Sequence, residues 1–320
     1  MQVTLKVRRY DPEKAKEPWY QEYKVDVDES STVLDALIQV REYKDESLAL
    51  RCSCRSAICG SCAMRVNDRA RLACKTRIMG LAGPDGKVNE VKVEPSGNQP
   101  VIKDLVVDMQ MFWDKVRAVT PWVQPTGPEP EREYVVPNAA MVDLAGAMNC
   151  IMCGACVSDC TVLEADKNFL GPAALAKAYR VVKDPRDGKA KERLSALSEY
   201  GGVWDCTHCY YCVEVCPKGV APMDRILALR REATEAGYTN NNGSRHSNSL
   251  AKSVKHSGWL DESRLAVESF GYFNIKALIK MLPTGLRALR AGKMPPLIHH
   301  KRPGVDHVQR IFQETEEKKS

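Results

Sequence analysis

No stretch of this sequence is both long and apolar enough to cross a bilayer. Its longest charge-free window, Leu144 to Ser158, includes three cysteines and falls short of the ~20 residues a spanning helix needs. The start, Met1-Gln-Val-Thr-Leu-Lys, has no basic region followed by an apolar stretch, so no secretory signal is read and the cytoplasm is the expected compartment. There is no block of like charge either. The net charge is +6, with basic residues spread along the chain, which gives nucleic-acid binding little support. Also missing is a Gly-x-Gly-x-x-Gly fingerprint, so dinucleotide binding is not expected of this chain.

What remains is an ordinary folded composition, 44% hydrophobic and 28% charged over 320 residues, enough for two or three domains with their own cores. The exception is cysteine. Thirteen of them in a reducing compartment point to metal or redox chemistry instead of disulfides. They fall in three groups: Cys52, Cys54, Cys59, Cys62 and Cys74; Cys150, Cys153, Cys156 and Cys160; and Cys206, Cys209, Cys212 and Cys216.

Val3 to Tyr10 and Tyr20 to Val27 read as a β-hairpin. Ser31 or Thr32 caps a helix whose period is Val33, Leu34, Ala36, Leu37 and Val40, and strand-like pieces at Ala63 to Val66 and Val88 to Val93 flank the cysteine loop. After Pro100 the pattern turns helical, with Val101, Leu105, Met109 and Phe112 on one face up to about Val119. Pro121, Pro125, Gly127, Pro128 and Pro130 mark a linker, followed by short helices around the cysteine runs. The polar stretch from Tyr238 reads as a loop. In the tail Ile275, Leu278, Ile279, Leu282, Leu286 and Leu289 lie among Lys276, Lys280, Arg287 and Arg290, and Pro283 and Gly285 limit it to two short amphipathic helices at most.

The expected fold is α+β: a β-grasp plant-type ferredoxin domain over 1–105, a helix and linker over 106–137, an all-α two-cluster ferredoxin domain over 138–237, and a helical C-terminal extension over 238–320 that contacts a partner or a membrane surface.

Cys54-x4-Cys59-x2-Cys62, with Cys74 farther on, is the plant-type spacing for a [2Fe–2S] cluster, two thiolates to each iron. A four-cysteine zinc site, and with it a zinc-stabilised scaffold protein, is the competing reading, but such sites favour two short cysteine pairs. Gly60 gives the loop backbone freedom, and Ser61 is placed to hydrogen-bond cluster sulfur. Cys52 is surplus and reads as a free thiol. Arg51, Arg55 and Arg65 either tune the site by their charge or are plain surface residues.

The other two groups each read Cys-x2-Cys-x2-Cys-x3-Cys, completed once by Pro217. In such pairs the fourth cysteine of each run serves the other cluster. The assignment is Cys150, Cys153, Cys156 and Cys216 to one [4Fe–4S], and Cys160, Cys206, Cys209 and Cys212 to a second. Thr161 replaces the usual proline and loosens the turn after Cys160. Trp204, His208 and Lys218 lie near these cysteines; His208 reads as a residue that supports the ligands or packs beside them, and Tyr210 and Tyr211 are expected to pack over the cluster and restrict solvent.

In wording as well as order these motifs resemble the iron–sulfur subunit of succinate dehydrogenases and fumarate reductases. The resemblance rests on Ser53-Cys54-Arg55-Ser56-Ala57-Ile58-Cys59-Gly60-Ser61-Cys62-Ala63-Met64, Leu72-Ala73-Cys74-Lys75-Thr76, Val101-Ile102-Lys103-Asp104-Leu105-Val106-Val107-Asp108 and Cys216-Pro217-Lys218-Gly219, and spans about residues 1 to 235. It implies a subunit that relays electrons between the FAD of a flavoprotein partner and a quinone-linked membrane partner, peripheral on the cytoplasmic face of the membrane, with the dicarboxylate site on another chain. Two departures stand out. Familiar members carry a non-ligating residue at the position of Cys209 and hold [3Fe–4S] there; here a fourth thiolate implies [4Fe–4S]. Quinone-binding members have Pro and a Trp just after the position of Cys160, where this chain reads Thr161-Val162-Leu163-Glu164-Ala165, so the quinone-binding residues are unknown.

Residues 204 to 310 resemble instead the small iron–sulfur subunit of heterodisulfide reductases, through the Cys-Thr-x-Cys-x-x-Cys run, Arg230-Arg231-Glu232-Ala233 and a tail ending in a His- and Pro-containing segment. That implies a cysteine-rich CCG-class membrane partner in place of, or beside, a haem b anchor. It also leaves a thiol-linked fumarate reductase or heterodisulfide-type carrier as the alternative. Spacing fixes neither cluster potential nor quinone, so it assigns no direction.

Overall fold

The structure, a computed structural model, describes residues 1–296 and 300–317; part of the His- and Pro-containing segment and the last three residues of the extension lie outside them. The chain forms two compact units, Met1–Glu232 and Ala233–Ser320.

In the first unit, β1 (Gln2–Arg9) and β2 (Trp19–Asp26) form the expected hairpin. Alternation turns Val3, Leu5 and Val7 inward, where they are at most 1% exposed. Over this face lies α1 (Val33–Tyr43), capped by Thr32: its hydroxyl accepts from the Asp35 N–H while Asp35 accepts from the Thr32 N–H, a reciprocal capping box. β3 (Ala63–Val66), β4 (Arg69–Leu72) and β5 (Glu90–Glu94) complete a mixed sheet of order β2-β1-β5-β3-β4, with only β1 and β5 parallel. The sequence reading misses β4. Its signal is Asn67-Asp68, both at positive φ (48° and 62°), the two-residue turn that matches strand twist.

The helix expected from Val101 begins only at Gln110. Residues before it form a small hairpin, β6 (Val101–Lys103) and β7 (Val106–Val107). Asp104, at φ 47° and 1% exposed, turns it. Its carboxylate accepts from Arg9 Nε at 2.9 Å, Tyr10 N at 3.0 Å and Ala49 N at 2.8 Å. The β-branched pairs on either side fit a strand at least as well as a helix, and this buried anchor decides between them.

The rest of the unit is helical: α2 (Gln110–Ala118), α3 (Asn138–Met148), α4 (Ala155–Ser158), α5 (Thr161–Ala165), α6 (Pro172–Val182), α7 (Ala190–Leu197), α8 (Tyr211–Glu214) and α9 (Pro222–Glu235), whose last turn begins the second unit. α6, buried on nearly all sides through small residues, touches α2, α3, α4 and α7 and so carries the loops that bear cysteine. Arg193, 8% exposed, straps the proline-rich segment down by donating to the carbonyls of Val119, Thr120 and Trp122 at 2.7–3.1 Å.

The second unit holds α10 (Asn242–Ser257), α11 (Glu262–Phe270), α12 (Ile275–Arg290) and α13 (Val305–Glu317). One expectation is corrected here. The polar stretch is largely the helix α10, capped by Asn241, which accepts from the Ser244 N–H at 2.8 Å. Its buried face is Ser244, Ser249, Ser253 and Ser257, so the helical period is written in small polar residues and not in apolar ones. The tail keeps within the expected limit of two helices as the single helix α12, with Pro283 inside it. One missing amide kinks a helix more readily than it ends one when Leu, Ala, Lys and Arg dominate both flanks.

Asp184, 2% exposed, is held by Arg186 at 2.7 Å and Arg180 at 2.5 Å. Its hydrogen bonds to Arg186, joined by those to Arg180 and opposed by burial, hold its carboxyl well below the ordinary 3.8. A lowered folded value means the stabilisation is full above about pH 4 and lost as pH falls below it. Asp184→Asn is expected to cost about 3 kcal/mol at pH 7, and chemical denaturation across pH should show the gap from wild type narrowing below pH 4.

Candidate iron–sulfur centres

The first cysteine loop follows β2 and α1 and ends at β3, with Cys74 brought in just after β4. Arg55, Ala57 and Gly60 have φ of 55°, 56° and 76°. Such left-handed turns aim successive N–H groups inward, an anion-binding arrangement. The N–H groups of Ser56, Ile58 and Cys59 donate to Cys54 Sγ at 3.3–3.4 Å, and that of Ala57 to Cys74 Sγ at 3.3 Å. This is the donor set that thiolates bound to iron require, since each carries charge needing N–H partners, and the loop therefore fits a [2Fe–2S] group. The Ser61 hydroxyl, first among several hydrogen bonds, lowers the Cys59 thiol to about 6, whereas burial pushes Cys62 up to about 12. Cys52 is half-buried against the core of the sheet domain. Arg51 donates to Val107 O at 2.9 Å and Arg65 to Asp68 O at 3.0 Å, so both have structural work beside the loop.

The two runs repeat in backbone as well as in spelling. Met152 and Gly154 bracket Cys153 with φ of 57° and 77°, and His208 and Tyr210 bracket Cys209 with 59° and 64°. After Cys216, Gly219 and Ala221 are again left-handed, and the Val220 N–H donates to Cys216 Sγ at 3.3 Å. The thiols sense one another mostly in two sets, bridged by Cys156, which burial raises and which feels Cys212 as well as Cys153, Cys150 and Cys216. Burial raises Cys153, with Cys150 and Cys216 adding to it; burial raises Cys160, with Cys206 and Cys209 adding to it. Burial also lifts Cys212 to about 12, helped by Cys206, Cys209 and Cys160. The fourth cysteine of each run thus lies with the first cysteines of the other. Among the described residues no three His, Cys, Asp or Glu side chains converge as closely as a single ion would need.

Asn98 and Asp159 were not singled out from sequence, and Arg230 figured there only within a motif of the resemblance. Asn98, φ 61°, donates through Nδ2 to the carbonyls of Val157, Ser158 and Cys160 at 2.9–3.2 Å, so the sheet domain clamps the loop that carries Cys160. Asp159 accepts from Ala70 N at 2.9 Å and pairs with Arg65 at 3.6 Å. Arg230, 8% exposed, donates to the carbonyls of Val203, Trp204 and Cys206 at 2.8–3.0 Å and to His208 Nε2. Burial, with Arg230 beside it, lowers the His208 pKa and keeps the ring neutral. Thr161 opens α5, and its hydroxyl donates to Cys209 Sγ at 3.6 Å. Tyr210 and Tyr211 are 44% and 38% exposed, and the Tyr211 ring stacks on Arg69 at 4.6 Å. Lys218 lines a small cavity together with Cys150, Cys153, Cys156 and Cys216.

Between the cysteine loops the spacing is tight. A Cβ on Gly60 would lie 2.7 Å from Cys153 Cβ.

A sheet domain bearing one thiol loop, followed by helices bearing two interleaved ones, defines an iron–sulfur electron carrier. Residues 4–114 match the 2Fe-2S iron-sulfur cluster binding domain and residues 146–220 the 4Fe-4S dicluster domain. The chain is 38% identical over 237 residues to the fumarate reductase iron-sulfur subunit of Haemophilus influenzae, covering 70% of this chain and 90% of that one. With the 8-methylmenaquinol:fumarate reductase iron-sulfur subunit of Wolinella succinogenes it shares 32% identity over 294 residues, 91% of this chain and 90% of that one. With the succinate dehydrogenase iron-sulfur subunit of Coxiella burnetii it shares 36% over 242 residues, 73% and 100% of the two chains. A chain of the Mycobacterium smegmatis Sdh1 complex in the apo form superposes with a TM-score of 0.66 at 28% identity, covering 75% of this chain and 98% of that one. This chain belongs to the iron–sulfur subunits of the succinate dehydrogenases and fumarate reductases, and within these oxidoreductases its part is electron transfer.

Gly60→Ala is expected to force the two loops apart and to strain a left-handed residue, together costing about 2–4 kcal/mol. A lower melting temperature and loss of the [2Fe–2S] absorption would check it; an unchanged melt would contradict it.

Proposed function

We propose that this chain relays electrons between the FAD of a flavoprotein subunit and a quinone-linked membrane partner, of the CCG class or with a haem b anchor, through three clusters in series. The observation that carries this reading is the pairing of a plant-type loop with two interleaved cubane loops, the first pair of which meet at Gly60 and Cys153. The order of strands supports a β-grasp fold for residues 1–105, with the helix and linker at 106–137, the dicluster domain at 138–237 and the extension at 238–320.

Cys54, Cys59, Cys62 and Cys74 are assigned to [2Fe–2S], Cys150, Cys153, Cys156 and Cys216 to one [4Fe–4S], and Cys160, Cys206, Cys209 and Cys212 to the other. When bound, these groups would supply one-electron carriers. The chain's own residues hold them in register: Asn98 fixes the Cys160 loop, Arg230 the Cys206 loop, and the N–H groups around Cys54 and Cys216 offset thiolate charge. Cys209 supplies the fourth thiolate that makes the third group [4Fe–4S] instead of [3Fe–4S].

Quinone chemistry is assigned to the partner chain. A cleft of about 740 Å³ does open beside Thr161, where Pro100, Met111 and Tyr211 share the lining with charged residues such as Arg65, Asp159 and Lys167, and those charges disfavour an apolar ring there. The link to quinol in place of thiols draws on the Wolinella relative, which is named for 8-methylmenaquinol. An alignment of 294 residues reaches well into the unit that begins at Ala233, so the likeness includes the extension.

Anaerobically isolated chain is expected to hold about ten irons and ten acid-labile sulfides, the sum of one [2Fe–2S] and two [4Fe–4S]; three zinc ions and a colourless protein would replace this reading with a scaffold. Electron paramagnetic resonance of the air-oxidised chain is expected to show a [3Fe–4S] signal for Cys209→Ser and not for intact wild type. The purified complex is expected to reduce fumarate with a menaquinol analogue, and activity with dithiols alone would overturn the quinone link.

A further inference from the structure

Helix α12 is the most one-sided element of the chain, and none of its side chains is buried. Ile275, Ile279, Leu282, Leu286 and Leu289 recur every three or four residues, which places them in one stripe about 80° wide. They are 53–67% exposed, and Phe273, just before the helix, is 97% exposed. The unit's own packing uses a different edge. Ala277, Leu278, Met281 and Ala288 are half-buried, and α11 is the helix that α12 touches.

Charge sorts the remaining edge. At 100° per residue Lys276, Lys280, Arg287 and Arg290 all fall along the other flank of the aliphatic stripe. Between Glu268 and Asp306 the sequence has no acidic residue, while Lys293, Lys301 and Arg302 extend the run of positive charge. An acid-free helix with a free aliphatic face and a lysine and arginine border has the pattern of an interfacial helix. Its 16 residues make a rod about 24 Å long. The stems of the basic residues can lie along the apolar surface with their charges raised to the phosphate layer. No described helix is long and apolar enough to cross a membrane.

We propose that α12 is a membrane-surface helix that lies in the headgroup layer of an anionic phospholipid bilayer, its aliphatic stripe facing the acyl chains and its basic flank the phosphates. Complementary charge favours this occupant: each cation gains from a negative surface, and no acidic side chain opposes it. The chain therefore has an attachment of its own beside whatever membrane subunit it joins. This goes beyond the electron-transfer reading, and lipid binding reads it out separately from electron flow.

The test is flotation of the intact, cluster-loaded chain with protein-free vesicles, of phosphatidylcholine alone or with 30 mol% phosphatidylglycerol. Wild type is expected to float with the anionic vesicles and to be released by high salt. Leu282→Glu with Leu286→Glu is expected to abolish flotation, and Lys280→Gln with Arg287→Gln to weaken partitioning about 30-fold, both with unchanged cluster absorbance. Should the glutamate pair lower expression, Leu282→Ala with Leu286→Ala gives the same direction with a smaller loss. Wild type that stays unbound, or a glutamate pair that floats as wild type does, overturns the proposal. Binding confined to native membranes and lost when they are stripped of protein overturns it in favour of a protein partner.

Discussion

A single close approach governs this molecule: Gly60 in the sheet domain faces Cys153 in the helical one with no room for a side chain between them. Two loops of different fold class each spend their backbone on holding sulfur, and neither has a flat face to offer the other. The surrounding contacts serve that approach. Asp159 receives the Ala70 N–H, Asn98 gathers three carbonyls ahead of α5, and Lys75 reaches Pro217 O at 3.3 Å on the other side. Each crosses from one fold class to the other, and each fixes a segment within one or two residues of a cysteine. Packing energy is thus directed to the positions where a displacement of an ångström alters the distance an electron must travel.

The chemistry was largely legible in the sequence, and the frame around it only partly. Cysteine spacing names a site because iron demands ligands in number and order, and nothing nearby competes with that demand. Helix α1 was readable from Thr32 and Asp35 for a similar reason: a cap is local. Where the deciding partner is distant in sequence the reading fails. Val101 to Val107 looked helical until Arg9, Tyr10 and Ala49 met Asp104. The stacking of Tyr211 on Arg69, from the other domain, was likewise not foreseen. Helix α10 escaped because its buried face is serine, invisible to a search for apolar period. The roles of Asn98 and Arg230 escaped because their work is done on carbonyls, and any sequence position can offer one.

The repeated runs differ in one instructive way. The first places glycine after its second cysteine, where a left-handed backbone costs least; the second places Tyr210 there at φ 64°. For a bulky residue that conformation costs about 1–2 kcal/mol. Arg230 is the counterweight, fixing three carbonyls upstream so that the loop does not relax into an ordinary turn. Each run has its staple: Arg230 holds the segment before Tyr210, and Asn98 holds the segment that leads to Cys160.

Among the thirteen cysteines only Cys59 and Cys209 are exposed. One belongs to the first loop and the other to the last, while the thiols of the middle group are all at least partly covered. The chain is built like an insulated lead stripped at both tips. In the proposed relay those two tips are where a mate would plug in, and they are where oxygen would corrode the line first.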